Sequence, residues 1–143
     1  MTHRILVIDD AATVRMYHRK LLSDAGWQVD EAVNGVEALE KVMNLPPPQG
    51  FDLFVVDINM PKMDGYTFVR ELRRLGQVVQ APVLMVSTES QMQDATAAQD
   101  AGANGYLVKP AKPAELMLTA ALLLGDAAAA LRAAGQIHAG VRA

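Results

Sequence analysis

The chain has 143 residues, 51% of them apolar, no cysteine and a formal charge of −3. That length suits one domain with a sizeable core. Zero cysteines exclude a disulfide framework and a thiolate metal site, and the acidic balance argues against generic nucleic-acid binding. No apolar run approaches a membrane span. No secretory signal is visible before the first strand, so no membrane insertion and a cytoplasmic location are expected.

In chain order, Ile5-Leu6-Val7-Ile8 predicts a strand over about 4–8 that runs into Asp9-Asp10. A helix carrying apolar Val14, Tyr17, Leu21 and Leu22 follows over about 12–25, ended by Gly26. The second strand, about 27–32, is less apolar and reads as an edge. Asn34-Gly35 starts a helix with Val36, Leu39, Val42 and Met43 as its expected core-facing stripe. Pro46-Pro47-Pro48-Gln49-Gly50 is a stiff connector, too short to separate domains. Leu53-Phe54-Val55-Val56 runs into Asp57, and Asp64-Gly65 opens a helix with Phe68, Val69, Leu72 and Leu75 on its apolar face.

Strand four, about 82–87, ends at Ser87-Thr88, and an Ala/Gln-rich helix near 90–101 ends at Gly102. Strand five, about 104–108, runs into Lys109-Pro110, and a last helix covers about 113–124. Residues 1–125 are thus expected to form the domain. Residues 126–143 read as an Ala-rich tail, helical or frayed, because Leu131 and Ile137 offer little to bury. No output domain is expected after the tail.

Apolar strands alternating with helices predict an α/β fold with a doubly wound five-stranded parallel sheet. All strand C-termini then share one edge, where ligands bind. Asp9, Asp10, Asp57, Ser87, Thr88 and Lys109 should meet there, a set suited to a divalent cation and a phosphoryl group. Three close carboxylates repel, and magnesium, which takes oxygen ligands, resolves the conflict. The simpler role for Asp9 or Asp10 alone is to cap the first helix. Asp57 is the candidate nucleophile, since a carboxylate can form an aspartyl-phosphate. Lys109 would add positive charge, and Ser87 or Thr88 a hydrogen bond. An X–Pro bond tolerates the cis form, a way for Pro110 to re-aim Lys109. No G-x-x-x-x-G-K-[ST] loop and no glycine-rich dinucleotide turn is present. His3, His18 and His138 lack ligand spacing and are expected at the surface. Arg70, Arg73 and Arg74 are expected to form a solvated face.

Asp9-Asp10, Asp57, Met60-Pro61-Lys62-Met63-Asp64-Gly65, Ser87 and Lys109-Pro110 occur in order, and this set over about residues 4–124 resembles the receiver domain of bacterial two-component response regulators. Tyr106, Asn59 and Glu89 are similar to the free-standing chemotaxis branch. The resemblance implies a flavodoxin-like sheet of order 2-1-3-4-5. It implies Mg2+-dependent phosphoryl transfer to Asp57 from a sensor histidine kinase or phosphorelay protein. Asp10, Asp57 and the carbonyl of Asn59 would hold Mg2+, with Asp9 assisting through water. Ser87 and Lys109 would bind the phosphoryl group, supported by Thr88, Glu89 and Pro110. Ser87 and Tyr106 would switch the face of helix 4, strand 5 and helix 5 for a downstream protein, in chemotaxis or elsewhere. Such a protein is a phosphoacceptor that assists its own phosphorylation and dephosphorylation, not a turnover enzyme.

Ala111 departs from the phenylalanine the family often has there and implies looser packing beside the switch face. An aspartate-nucleophile phosphohydrolase is the enzyme alternative, but Asp57-Ile58-Asn59 lacks the second acid of a D-x-D motif and no cap domain is expected. A phosphorelay intermediate without a motor target is a further alternative. A flavin carrier lacks its phosphate loop here, and a pseudo-receiver would have lost a site residue.

Overall fold

The structure is a computed structural model in which residues 2–88 and 92–142 are described, the side chains of Met92 and 138–142 excepted. Glu89 and the side chain of His138 therefore lie outside the described residues. The strands are β1 (Arg4–Ile8), β2 (Gln28–Ala32), β3 (Leu53–Val56), β4 (Val83–Ser87) and β5 (Gly105–Val108). Between and after them run α1 (Ala12–Asp24), α2 (Gly35–Met43), α3 (Gly65–Arg74), α4 (Met92–Ala101), α5 (Pro113–Leu124) and α6 (Ala127–Arg142). All strand pairs are parallel, in the order β2-β1-β3-β4-β5. The less apolar β2 is an edge, where Arg4 holds Asp30 at 2.7 Å.

Successive strand residues point to opposite faces, so each strand feeds two cores. Leu6, Ile8, Phe54, Val56, Val83 and Met85 pack under α2, α3 and α4. Ile5, Val7, Leu53, Val55, Leu84 and Val86 pack under α1 and α5. Both faces are covered, which is why β3 and β4 read as uninterrupted apolar runs.

Helix starts follow their caps. Asn34 accepts from the Glu37 amide at 2.9 Å and Asp64 from the Thr67 amide at 2.8 Å. Gly125, at φ 74°, closes α5 in the left-handed conformation.

The helix faces differ in detail from the periodicity. On α2, Ala38 and Val42 are buried while Val36 and Met43 are exposed, so the core-facing stripe is rotated from the one predicted. On α1, His18 and Leu22 are the buried residues and Tyr17 is exposed. His18 corrects the expectation of a surface histidine. Arg73 likewise leaves the solvated arginine face. Its guanidinium donates to the carbonyls of Gly102 at 3.0 Å and Ala81 at 2.7 Å and to Asn104 at 3.0 Å, tying α3 to the segments that lead into β4 and β5. Burial lowers its pKa.

The C-terminal segment is helical. It does not use Leu131 and Ile137, both exposed, but buries Ala129 and Ala133. Small residues let α6 lie close, and Ala129 joins the core under α1 and α5. Asp126 fixes its start, accepting from the Ala129 amide at 3.1 Å and from Trp27 Nε1 at 2.9 Å.

Candidate functional site

Each charged residue at the C-terminal edge is set by a main-chain bond to the next strand. The Asp9 amide donates to Ala32 at 3.1 Å, the Asp57 amide to Ile8 at 2.9 Å and the Lys109 amide to Ser87 at 2.7 Å. These bonds carry the sheet pattern one residue past the strands. Their side chains then converge. Lys109 Nζ donates to Asp9 Oδ2 at 2.8 Å and to Asp57 Oδ1 at 3.1 Å. Asp9 and Asp57 are buried, Lys109 is half-buried and Asp10 is exposed.

Asp9 does not cap α1, whose N-cap is Ala11 with no side-chain hydrogen bond. Its Oδ1 accepts from the Ala11 amide at 2.9 Å at the entry to α1, while Oδ2 faces Lys109. Asp57 Oδ1 also accepts from the Ile58 amide at 2.9 Å. Burial raises the pKa of Asp57 and repulsion by Asp9 adds to it, opposed by Lys109 and the Ile58 amide. Burial alone would lower the Lys109 ammonium. The hydrogen bond and charge of Asp9, with those of Asp57, outweigh it and hold Lys109 above its ordinary value.

Carboxylate oxygens of Asp9, Asp10 and Asp57 lie within 4.8 Å of one another. Around an octahedral ion with bonds of about 2.1 Å, oxygens stand roughly 3–4.2 Å apart, so the spacing of this acidic cluster is close to what a magnesium ion takes. Asn59 is exposed in the loop two residues past Asp57. Ser87 is fully buried, Thr88 is exposed, and the Lys109–Pro110 peptide is cis. Ser87 pairs with Val108 and Tyr106 with Met85, so Ser87 and Tyr106 are diagonal rather than direct neighbours. Half-buried Tyr106 borders a cavity of about 410 Å³ between α4 and β5.

Three residues bear on the site through contacts that the sequence did not assign. Arg15 donates to the Asp9 carbonyl at 2.7 Å and to Glu31 at 2.9 Å, bracing the β1 end. Gly65 brings α3 against the Asp57-Ile58 backbone, its amide donating to the Ile58 carbonyl at 2.8 Å. His18 sits near Asp9 and Lys109. Burial lowers its pKa, the Asp9 charge raises it and the Lys109 charge lowers it. Its signal was the spacing Val14, His18, Leu22, one helix face.

The sequence matches the response regulator receiver domain family over residues 5–121. The chain belongs to this family. It is 40% identical over 111 residues to the chemotaxis protein CheY of Bacillus subtilis, covering 77% of this chain and 88% of that protein. It is 39% identical to response regulator MprA of a Mycobacterium species over 87% of its own length, but spans only 51% of that protein. Among solved structures, Vibrio cholerae chemotaxis protein CheY4 superposes with a TM-score of 0.78 at 34% identity, covering 86% of this chain and 99% of that one. The receiver domain of the sensor histidine kinase PA1611 of Pseudomonas aeruginosa, solved with magnesium coordinated in its active-site cleft, gives a TM-score of 0.77 at 25% identity, covering 88% and 100%. Among the described residues of this receiver, no helix is long and apolar enough to cross a membrane.

Proposed function

We propose that this receiver accepts, on Asp57, a phosphoryl group from the phosphohistidine of a cytoplasmic sensor kinase or phosphorelay protein. The observation that supports it is the sharing of one ammonium by two buried carboxylates, Asp9 at 2.8 Å and Asp57 at 3.1 Å, beside a third acid. An Asp57 oxygen attacks phosphorus, the P–O bond forms as the P–N bond breaks, and the leaving imidazole takes up a proton. Lys109 and the Ile58 amide favour the charged carboxylate against burial. During transfer Lys109 turns from the carboxylates to the phosphoryl oxygens, with Ser87 and Thr88 as hydroxyl donors. Asp9, Asp10, Asp57 and the carbonyl of Asn59 would hold Mg2+, which when bound neutralises charge on the transferring oxygens.

Incubation with acetyl phosphate and magnesium should add the mass of one phosphoryl group to the wild type and none to Asp57→Asn. Label retained in the variant would move the acceptor elsewhere.

Magnesium should also stabilise the fold, because it binds the native site and not the unfolded chain. At 100 times its dissociation constant the gain is about 2.7 kcal/mol, several degrees in Tm. Asp10→Asn should remove most of the shift. A thermal transition indifferent to millimolar magnesium would exclude the metal site.

The output is a protein docking on α4, β5 and α5, in chemotaxis or a related relay. Phosphorylation adds charge and acceptor oxygens, which draw the Ser87 hydroxyl toward Asp57 and let Tyr106 turn into the space beside α4. Tyr106 ring NMR signals should shift with beryllofluoride in the wild type and shift less in Ser87→Ala. Equal responses would take Ser87 out of the coupling.

A further inference from the structure

Arg15 stands where a helix ordinarily avoids positive charge. α1 begins at Ala12 with no side-chain cap and no acidic residue in its first turn, and a cation there opposes the helix dipole. The Arg15 side chain is nevertheless held inward, 16% exposed. A guanidinium is a planar fork of donors with fixed directions, and two of them meet fixed partners. Nη1 donates to the Asp9 carbonyl at 2.7 Å and Nε to Glu31 Oε1 at 2.9 Å. Glu31 lies on β2, and its second carboxylate oxygen accepts from Arg19 while its main-chain carbonyl accepts from Lys41. One fork thus joins α1, the end of β1 and the edge strand.

We infer that Arg15 is a positioning residue for the metal-ligating acids, aiming Asp10 by fixing the Asp9–Asp10 peptide. The inference rests on the magnesium site proposed above. A peptide unit is planar, so the Asp9 carbonyl that Arg15 holds and the Asp10 amide turn together. The remaining polar atoms of Asp9 are held as well. Its amide donates to Ala32 at 3.1 Å, Oδ1 accepts from the Ala11 amide at 2.9 Å and Oδ2 from Lys109 at 2.8 Å. Asp10 differs: it is exposed, so its carboxylate takes its direction mainly from the backbone that carries it. A carboxylate oxygen of Asp10 lies within 4.8 Å of one from Asp9 and one from Asp57, and magnesium demands near-ideal octahedral geometry. A freely turning Asp9–Asp10 peptide would spread the third ligand over many directions. Glu31 completes the device, since it neutralises the guanidinium and sets the plane of its fork.

The test is a calorimetric titration of the unphosphorylated full chain with magnesium chloride, in the wild type, Arg15→Met and Arg19→Met. Thermal melts in chelator read the fold separately. Arg15→Met should weaken magnesium binding about 10–100-fold, the usual effect of losing a group that orients a metal ligand. Arg19→Met should change it by less than about threefold, because it leaves the Asp9 carbonyl held and an exposed ion pair contributes little. In acetyl phosphate uptake, half-saturating magnesium should rise in Arg15→Met by the same factor as the dissociation constant, while the rate at saturating magnesium falls much less. If Arg15→Met fails to fold, Arg15→Gln, shorter and uncharged, is held to the same expectation. A lower Tm in chelator with unchanged magnesium affinity would overturn the inference and leave Arg15 as a brace of the fold. A wild type that takes up no magnesium would overturn the metal site itself, a result distinct from equal affinities in wild type and variant.

Discussion

Lys109→Met should slow phosphoryl uptake by acetyl phosphate by about 10²–10³-fold, the usual effect of removing one fixed donor from developing charge. It should also destabilise the magnesium-free protein, because Asp9 and Asp57 lose the ammonium they share. Breaking a buried pair by removing one partner costs about 3–5 kcal/mol. Methionine keeps the length of the stem, so the loss reports charge rather than packing. The pH dependence carries the mechanism. Asp57 already has a raised pKa in the folded protein, and losing Lys109 raises it further. A group raised on folding contributes stability below its unfolded pKa that is lost as pH rises through its folded value. The deficit of the variant should therefore be greatest near neutral pH and shrink as pH falls through the carboxyl range. In the wild type, the Lys109 contribution should persist to alkaline pH and fade only above the ordinary lysine value, since its pKa is also raised. Urea titrations in chelator at neutral and acidic pH measure the difference. A deficit that does not vary with pH would show that charge is not its source.

The candidate site was legible because the sheet does the positioning. Asp9, Asp57, Ser87 and Lys109 each end or directly follow an apolar run, and in a parallel sheet every run ends at the same edge. No side-chain contact had to be known to bring them together. Helix faces were less legible. Periodicity gives the phase of a stripe but not which end of it meets the sheet, so Val36 and Met43 looked as apolar as Val42, and only packing decides among them. His18 and Arg73 were misplaced for a different reason: residue type outweighed phase. His18 stands on the same face as Val14 and Leu22. Arg73 follows Val69 and Leu72 and donates to carbonyls in the segments that lead into β4 and β5. Alanine carries no pattern at all. Ala129 and Ala133 bury α6 by being small, which a search for large apolar residues passes over.

Gly65→Ala should be the most damaging single-methyl change near the site. A Cβ there would lie 2.4 Å from the Asp57 carbonyl oxygen, 2.7 Å from Met85 Cε and 2.9 Å from Ile58 Cα. The Met85 methyl can swing away, but the other two atoms are backbone at the end of β3. Either α3 backs off, breaking the bond from the Gly65 amide to the Ile58 carbonyl, or the Asp57-Ile58 segment is displaced. Overpacking costs about 1–3 kcal/mol, and a backbone clash belongs at the top of that range, about 10 °C in Tm for a domain of this size. Displacing Asp57 also moves its carboxylate relative to Lys109, and a shift of about 1 Å at a reacting centre can cost roughly 10² in rate. Gly76→Ala is the matched control, because a Cβ there meets nothing within 4 Å, and a compatible glycine-to-alanine change is neutral or slightly stabilising. Thermal melts and acetyl phosphate uptake of the two variants should thus diverge sharply. Matching behaviour would mean that α3 can withdraw without disturbing Asp57, and that the close approach at Gly65 does not position the acceptor.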